Sequence, residues 1–116
     1  MTTLYGITNC DAVKKARTWL SENHIDYEFV DFKKSPPDEA LIKSWLKDID
    51  LAVLLNKRGT TWRKLSSEQQ ASAATQEGAI KLMVENPSLI KRPVLNHSGH
   101  NQVGFQAASY QETFSK

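Results

Sequence analysis

The chain of 116 residues contains a single cysteine, Cys10. One thiol excludes an internal disulfide, so the fold has to rest on its buried core. It is also the cysteine usage of a protein kept in a reducing compartment, and a cytoplasmic location is expected. A Cys-x-x-Cys pair is excluded as well, because Val13 stands three residues after Cys10. No apolar run approaches the ~20 residues that a membrane span requires. The N-terminus lacks the basic-then-apolar pattern of a signal peptide, and no membrane association is expected. Neither sign of charge dominates: the net charge is +2. That balance argues against a nucleic-acid protein driven by a broad basic field, although it leaves room for a local basic pocket. There is no internal repeat and no low-complexity tail. The length fits one domain, residues 1–116, able to bury roughly two-thirds of its unfolded surface without a staple.

What the sequence does contain is organised around its cysteine. Residues 3–5 read as a short apolar strand, and residues 6–9 as a Gly/Thr/Asn turn. Cys10 then stands where a helix begins, since Val13, Ala16 and Leu20 recur at helical spacing over residues 11–23. Ile25, Tyr27 and Phe29 alternate with Asp26 and Glu28, which predicts a second strand over residues 25–31. Strand, helix and strand in about 30 residues form a βαβ unit with parallel pairing.

Residues 38–86 read as a helical insertion. Ser35 is positioned to cap a helix that opens at Pro36 and carries the stripe Leu41, Ile42, Trp45 and Leu46. Asp50 can cap a short helix over Leu51, Leu54 and Leu55. Residues 56–61 are a break. Ser66-x-x-Gln69 is a capping-box pattern, and Thr75 or Gln76 opens a further helix closed by Pro87. Beyond the insertion, Arg92-Pro93-Val94-Leu95 starts a third strand, residues 96–101 have turn composition, and residues 102–105 form a fourth strand. Residues 107–114 can form a terminal helix. The order β-α-β, helical insertion, β-β-α is an α/β thioredoxin-like fold with a four-stranded mixed sheet.

A cysteine at a helix start meets unpaired N–H donors and the positive end of the helix dipole, both of which favour thiolate over thiol. Lys14 and Arg17 add positive charge on or near the first turns. The alternative for a lone cysteine is a small buried hydrophobe. If Cys10 is reactive, the missing second thiol has a consequence. Any mixed disulfide or thiol–oxyanion adduct must be resolved by an external thiol. Glutathione, with glutaredoxin as a further partner, is the abundant candidate.

Two other stretches carry candidate ligand-binding residues. Pro93 opens a strand and is a candidate cis peptide, which would let Arg92 hold a guanidinium near Cys10 for a carboxylate or an oxyanion. The plain alternative is a trans proline and a solvated arginine. Lys57-Arg58-Gly59-Thr60-Thr61-Trp62-Arg63-Lys64 gathers cations around a tryptophan, with Arg58 the candidate for an anion pocket and a solvated loop the alternative. His97-x-x-His100 is read as a turn and not a metal site, because two ligands rarely suffice. No metal and no bound cofactor are expected. The candidate set is Cys10 as nucleophile, with Asn9, Lys14, Arg58, Arg92 and Pro93 around the ligand.

These residues resemble the ArsC/Spx family along essentially the whole chain. The likeness is carried by Leu4-Tyr5-Gly6-Ile7-Thr8-Asn9-Cys10, Lys14-Lys15-Ala16-Arg17-Thr18-Trp19-Leu20, the stretch from Arg58 to Leu65, Asn86-Pro87, Ile90-Lys91-Arg92-Pro93 and Val103-Gly104-Phe105. It is strongest to the YffB-like subgroup, described as uncharacterised or glutathione-dependent thiol reductases. The resemblance implies a thioredoxin-like fold, a nucleophile at Cys10, an oxyanion-contacting Arg92 and a cis Pro93. It also implies a thiol reductase of the arsenate reductase-like family with glutathione as co-substrate; nothing in the sequence demands a dimer, and a monomer is expected.

The departures keep two alternatives open. Glutathione/glutaredoxin-linked arsenate reductases carry a histidine where this chain has Gly6. Their mid-insertion arginine falls near Asn56, with Arg58 two residues on, and their last arginine falls near Gly104 or Phe105. Spx-type regulators, which bind RNA polymerase, usually carry Cys-x-x-Cys, which Val13 removes here. Arsenate reduction proper and a non-enzymatic Spx-like binding role are the alternatives.

Overall fold

The computed structural model describes residues 1–115. They group into two compact units: Met1–Ser35 together with the segment from Arg92 onward, and Pro36–Lys91. We call them the sheet unit and the helical unit.

The sheet unit holds β1 (Thr2–Gly6), α1 (Asp11–Glu22) and β2 (Glu28–Asp31), then β3 (Val94–His97), β4 (His100–Val103) and, past the intervening helices, the terminal helix (Ala107–Phe114). The strand order is β2-β1-β3-β4. β1 runs parallel to β2 and antiparallel to β3, and β3 pairs antiparallel with β4. This is the mixed four-stranded sheet and the thioredoxin-like order expected from the sequence. Burial alternates along β1, with Thr2, Leu4 and Gly6 on the covered face. Leu4 and Leu95 of the sheet pack with Ala16 and Leu20 of α1 and with Tyr110 of the terminal helix. Trp19, Phe105 and Phe114 surround Tyr110 with mostly edge-on contacts, 4.8 to 6.4 Å between ring centroids.

Two expectations for this unit change. The second strand begins at Glu28, not at residue 25. His24 takes a left-handed φ of 57° beyond the end of α1, and the Ile25 N–H donates back to the Leu20 carbonyl at 3.0 Å. Ile25 therefore closes the end of α1, and residues 25–27 precede the strand, while Ile25 and Tyr27 still pack against the core as their alternation suggested. The hairpin is also tighter than its composition implied. Asn96, His97, His100 and Asn101 are paired strand residues, and only Ser98 and Gly99 turn, with φ of 51° and 85°. Two successive positive φ values are the hairpin geometry that follows strand twist. The polar strand residues satisfy one another: the Asn96 amide donates to Asn101 at 2.7 Å, and His97 meets the Thr2 hydroxyl at 2.8 Å.

The helical unit consists of α2 (Glu39–Trp45), α3 (Leu51–Leu54), α4 (Thr60–Arg63), α5 (Ser67–Ser72) and α6 (Gln76–Glu85), closed by a 3-10 turn at Pro87–Leu89; the terminal helix is α7. α6 packs against α2, α5 and the 3-10 turn. Its buried face is Ala79, Ile80, Leu82 and Met83. The capping box at Ser66 and Gln69 forms as expected, with both reciprocal bonds present. Thr75 caps α6 through the Gly78 N–H at 3.1 Å. The cap of α2 is Asp38, which accepts from the Leu41 N–H at 2.8 Å. Ser35 was the expected cap; Asp38 displaces it because a carboxylate directly before the helix reaches the third amide, leaving both prolines outside. Among the described residues no helix is long and apolar enough to cross a membrane.

Candidate functional site

Cys10 is the residue that leads into α1, with extended backbone angles (φ −106°, ψ 126°). Its carbonyl accepts from the Lys14 N–H at 2.9 Å, starting the helix. The side chain therefore points back across the open first turn, whose amides have no partner within the helix. Cys10 is half-buried and is a free thiol.

Burial alone pushes the thiol towards the protonated form. It is outweighed by the Val13 N–H, a hydrogen bond from the Arg92 side chain, the Ala12 N–H and the positive charge of Arg92, so the thiol is held below its ordinary value of 9.0. The amides act as aligned dipoles more than as a formed cap, since no side-chain capping bond closes at Cys10. The cation that reaches the sulfur is Arg92. Arg17 is turned elsewhere: its Nε donates to the Tyr27 hydroxyl at 3.1 Å, and its guanidinium lies 4.3 Å from the centre of the Phe29 ring. The sequence-based expectation that Arg17 acts on the thiol is corrected on this ground. Lys14 is exposed on the first turn.

The long-range partner is brought in by the sheet. β1 leads to Cys10, and β3, its antiparallel neighbour, begins directly after Arg92 and Pro93. The Arg92–Pro93 peptide is cis. The buried Pro93 carbonyl accepts from the Gly104 N–H at 2.8 Å, just past the end of β4. Gly104 has φ of 81°, a conformation that favours glycine. Its own carbonyl accepts from the buried Tyr110 hydroxyl at 3.4 Å. Burial drives the Tyr110 hydroxyl far above its ordinary range, so it stays a donor. Gly104 and Tyr110 thus hold the strand end that carries Arg92. Sequence reasoning did not assign them this role; the glycine between a strand and an aromatic was the available signal.

The sheet unit therefore brings Arg92, which precedes the cis Pro93, to Cys10, with Asn9 exposed in the preceding turn and Lys14 one turn into the helix. Arg58 belongs to the helical unit, where it is exposed and its N–H donates to the Asn56 side chain at 3.0 Å. Beside it, the Lys57 ammonium lies 5.3 Å from the centre of the Trp62 ring. His97 and His100 face each other as strand partners. No group of three or more potential metal ligands gathers among the described residues.

The chain is similar over nearly its whole length to proteins of known structure. The solved structure of the YffB protein is 42% identical, covers 97% of each chain and superposes with a TM-score of 0.92. The solution structure of an arsenate reductase (ArsC) related protein from Brucella melitensis is 43% identical, covers 99% of this chain and 95% of that one, and has a TM-score of 0.73. The global transcriptional regulator Spx 2 of Lactococcus lactis is 30% identical over 90% of this chain and 80% of its own length. The profile of the ArsC family matches residues 5–113, from β1 through the cysteine turn and the cis proline into α7, and this chain belongs to that family.

Proposed function

We propose that the protein is a glutathione-dependent thiol–disulfide oxidoreductase of the cytoplasm, with Cys10 as its one nucleophile. The observation that carries this reading is the convergence of the Val13 and Ala12 amides and the Arg92 guanidinium on the Cys10 sulfur, in a chain with no second thiol. The Cys10 thiolate attacks one sulfur of a disulfide, forming a mixed disulfide and releasing the other sulfur as a thiolate. A glutathione thiolate then attacks the mixed disulfide and frees the substrate thiolate, leaving glutathione on Cys10. A second glutathione thiolate restores Cys10 and leaves as oxidised glutathione. Two glutathione molecules are oxidised for each disulfide reduced. Arg92 holds an anionic group of the ligand and Lys14 adds a second positive charge. Asn9 and Pro93 line the approach to the sulfur.

Incubation with oxidised glutathione followed by intact mass measurement tests the reading. The expected result is one glutathionyl group on Cys10, removed by reduced glutathione and absent from Cys10→Ser. No adduct, with a pH profile of alkylation like that of free cysteine, would sink the proposal.

The likeness to the Brucella protein favours a narrower enzymatic alternative, arsenate reduction. An assay coupled to glutathione and glutaredoxin decides it, and no Cys10-dependent turnover removes it. The likeness to Spx 2 favours a second reading, a module that regulates by binding a larger protein. That reading requires a stable complex that survives Cys10→Ser, and a pull-down without one counts against it.

A further inference from the structure

Gly6 ends β1 and is buried. A β-carbon built on it would lie 2.7 Å from Val13 Cγ2, 3.4 Å from Cγ1 and 3.6 Å from Cβ. Its φ lies outside the left-handed region, so the glycine is required here for space and not for backbone conformation. Neither side of the contact has room to give. The Gly6 backbone is fixed by its register opposite Asp31 and by the Phe32 N–H, which donates to its carbonyl at 2.8 Å. Val13 is fully buried, and a β-branched residue in a helix has one strongly preferred rotamer. Further along α1, Ala16 and Leu20 are fully buried against Leu4 of the same strand. A methyl group at residue 6 can therefore be absorbed only by displacing the first turn of α1. That turn carries Cys10 and the amide of Val13.

We propose that Gly6 and Val13 are a positioning pair: their close approach seats the first turn of α1 so that the Val13 N–H stays aimed at the Cys10 sulfur. The inference rests on Cys10 being a reactive thiolate. The Val13 amide does this through geometry that Arg92, on another element, does not control. Burial of the sulfur opposes ionisation, and the groups that offset it are the Val13 amide, Arg92 through both a hydrogen bond and its charge, and the Ala12 amide. The charge that acts on the sulfur is Arg92 from the β3 side; on its own helix, Asp11 and Lys14 are nearest in sequence and both are exposed. None of them touches the Gly6–Val13 contact. The Val13 side chain thus has a role separate from the absence of a second thiol: it transmits the position of β1 to the amide that faces the nucleophile.

The test is the pH profile of Cys10 alkylation by iodoacetamide in four proteins: wild type, Gly6→Ala, Val13→Ala and Gly6→Ala/Val13→Ala. Gly6→Ala is expected to raise the midpoint and to slow alkylation at neutral pH by about tenfold, the scale of one hydrogen bond to a charged group. Val13→Ala keeps its amide but removes the γ-methyl groups that rest on Gly6, and is expected to raise the midpoint as well as to lose stability. The double variant is expected to recover the wild-type midpoint, because the new methyl enters the space the valine vacates. If Gly6→Ala does not fold, Val13→Ile presses the same buried contact from the helix side and is expected to raise the midpoint in its place. A lowered wild-type midpoint that neither variant moves overturns the pair while leaving the reactive thiol standing. A double variant with the Gly6→Ala profile also overturns it. A wild-type midpoint equal to that of free cysteine overturns the reactive thiol, and the pair with it.

Discussion

The sheet unit and the helical unit start their elements with interactions of different reach. In the helical unit the bonds that start helices span three residues: Asp38 to Leu41, Ser66 to Gln69, Thr75 to Gly78. In the sheet unit the Thr2 hydroxyl meets a histidine 95 residues away, and β1 finds its antiparallel partner at the far end of the chain. Cys10 and Arg92 meet because that pairing forms. The candidate chemistry therefore depends on register between distant strands, whereas the helical unit starts its helices with local caps and is then closed by the Asn56 N–H on the Leu89 carbonyl and the Lys91 N–H on the Leu54 carbonyl.

The sharpest way to break this comparison is at Gly78. A β-carbon there would run into the Ser72 carbonyl at the junction of α5 and α6 and would lie 3.1 Å from the capping Thr75 hydroxyl. The obstacle is backbone and cannot rotate away. Gly78→Ala is expected to lower stability by about 3 kcal/mol or more, at the upper end of overpacking costs, read from urea unfolding. The folded fraction is expected to keep the wild-type pH profile at Cys10. A shifted profile would show that the helical unit's local packing also sets the thiol, and the contrast between the two units would fall.

The second effect lies in the sheet unit. Arg92→Gln removes the charge and alters the hydrogen bond at the sulfur. Alkylation of Cys10 at neutral pH is expected to slow by about tenfold, with a raised midpoint. Stability should report the same group. A thiol held below its unfolded value of 9.0 stabilises the folded chain fully above that value, and the contribution fades as pH falls through the folded value. The wild type is therefore expected to gain on Cys10→Ser as pH rises towards 9.0 from the folded midpoint, and Arg92→Gln should shrink that gain. A wild-type advantage that grows towards acid pH would reverse the sign and exclude a stabilised thiolate.

These same contrasts explain what could be read from residues alone. Short-range chemistry was legible: the capping box at Ser66, the start of α6 at Thr75, the helical stripe Val13-Ala16-Leu20 and the cysteine at the head of α1 all follow from spacing over a few residues. The cis Pro93 beside Arg92 was a candidate from its place at a strand start. Features set by tertiary packing were not legible. Alternation over residues 25–31 looked like one strand, but the left-handed turn at His24 ties Ile25 back to α1 and the strand begins only at Glu28. Asn96 to Asn101 looked like a loop by composition, yet cross-strand partners make four of the six into strand. Arg17 and Arg92 are equally cationic on paper. Only the packed sheet decides that one lies on Phe29 and the other reaches the sulfur. The need for glycine at residue 6 is likewise invisible without the helix that covers it.

The smallest expected effect tests long-range register from the turn that sets it. Ser98 adopts φ of 51° beside Gly99, and serine is a poor occupant of the left-handed region. Asparagine tolerates it better and makes the strongest two-residue hairpin signal when followed by glycine. Ser98→Asn is expected to stabilise the protein by about 0.5 kcal/mol, seen as a higher urea midpoint with unchanged slope. Because β3 is the strand that begins directly after Arg92 and Pro93, a better turn should leave the Cys10 profile unmoved while tightening the pairing of Val94 with Val103. Amide exchange along β3 and β4 should slow together. Slower exchange confined to residues 97–100, with none at Val94 or Val103, would mean that the turn and the Arg92 end of the hairpin are independent, and that register at the site is set by β1 alone.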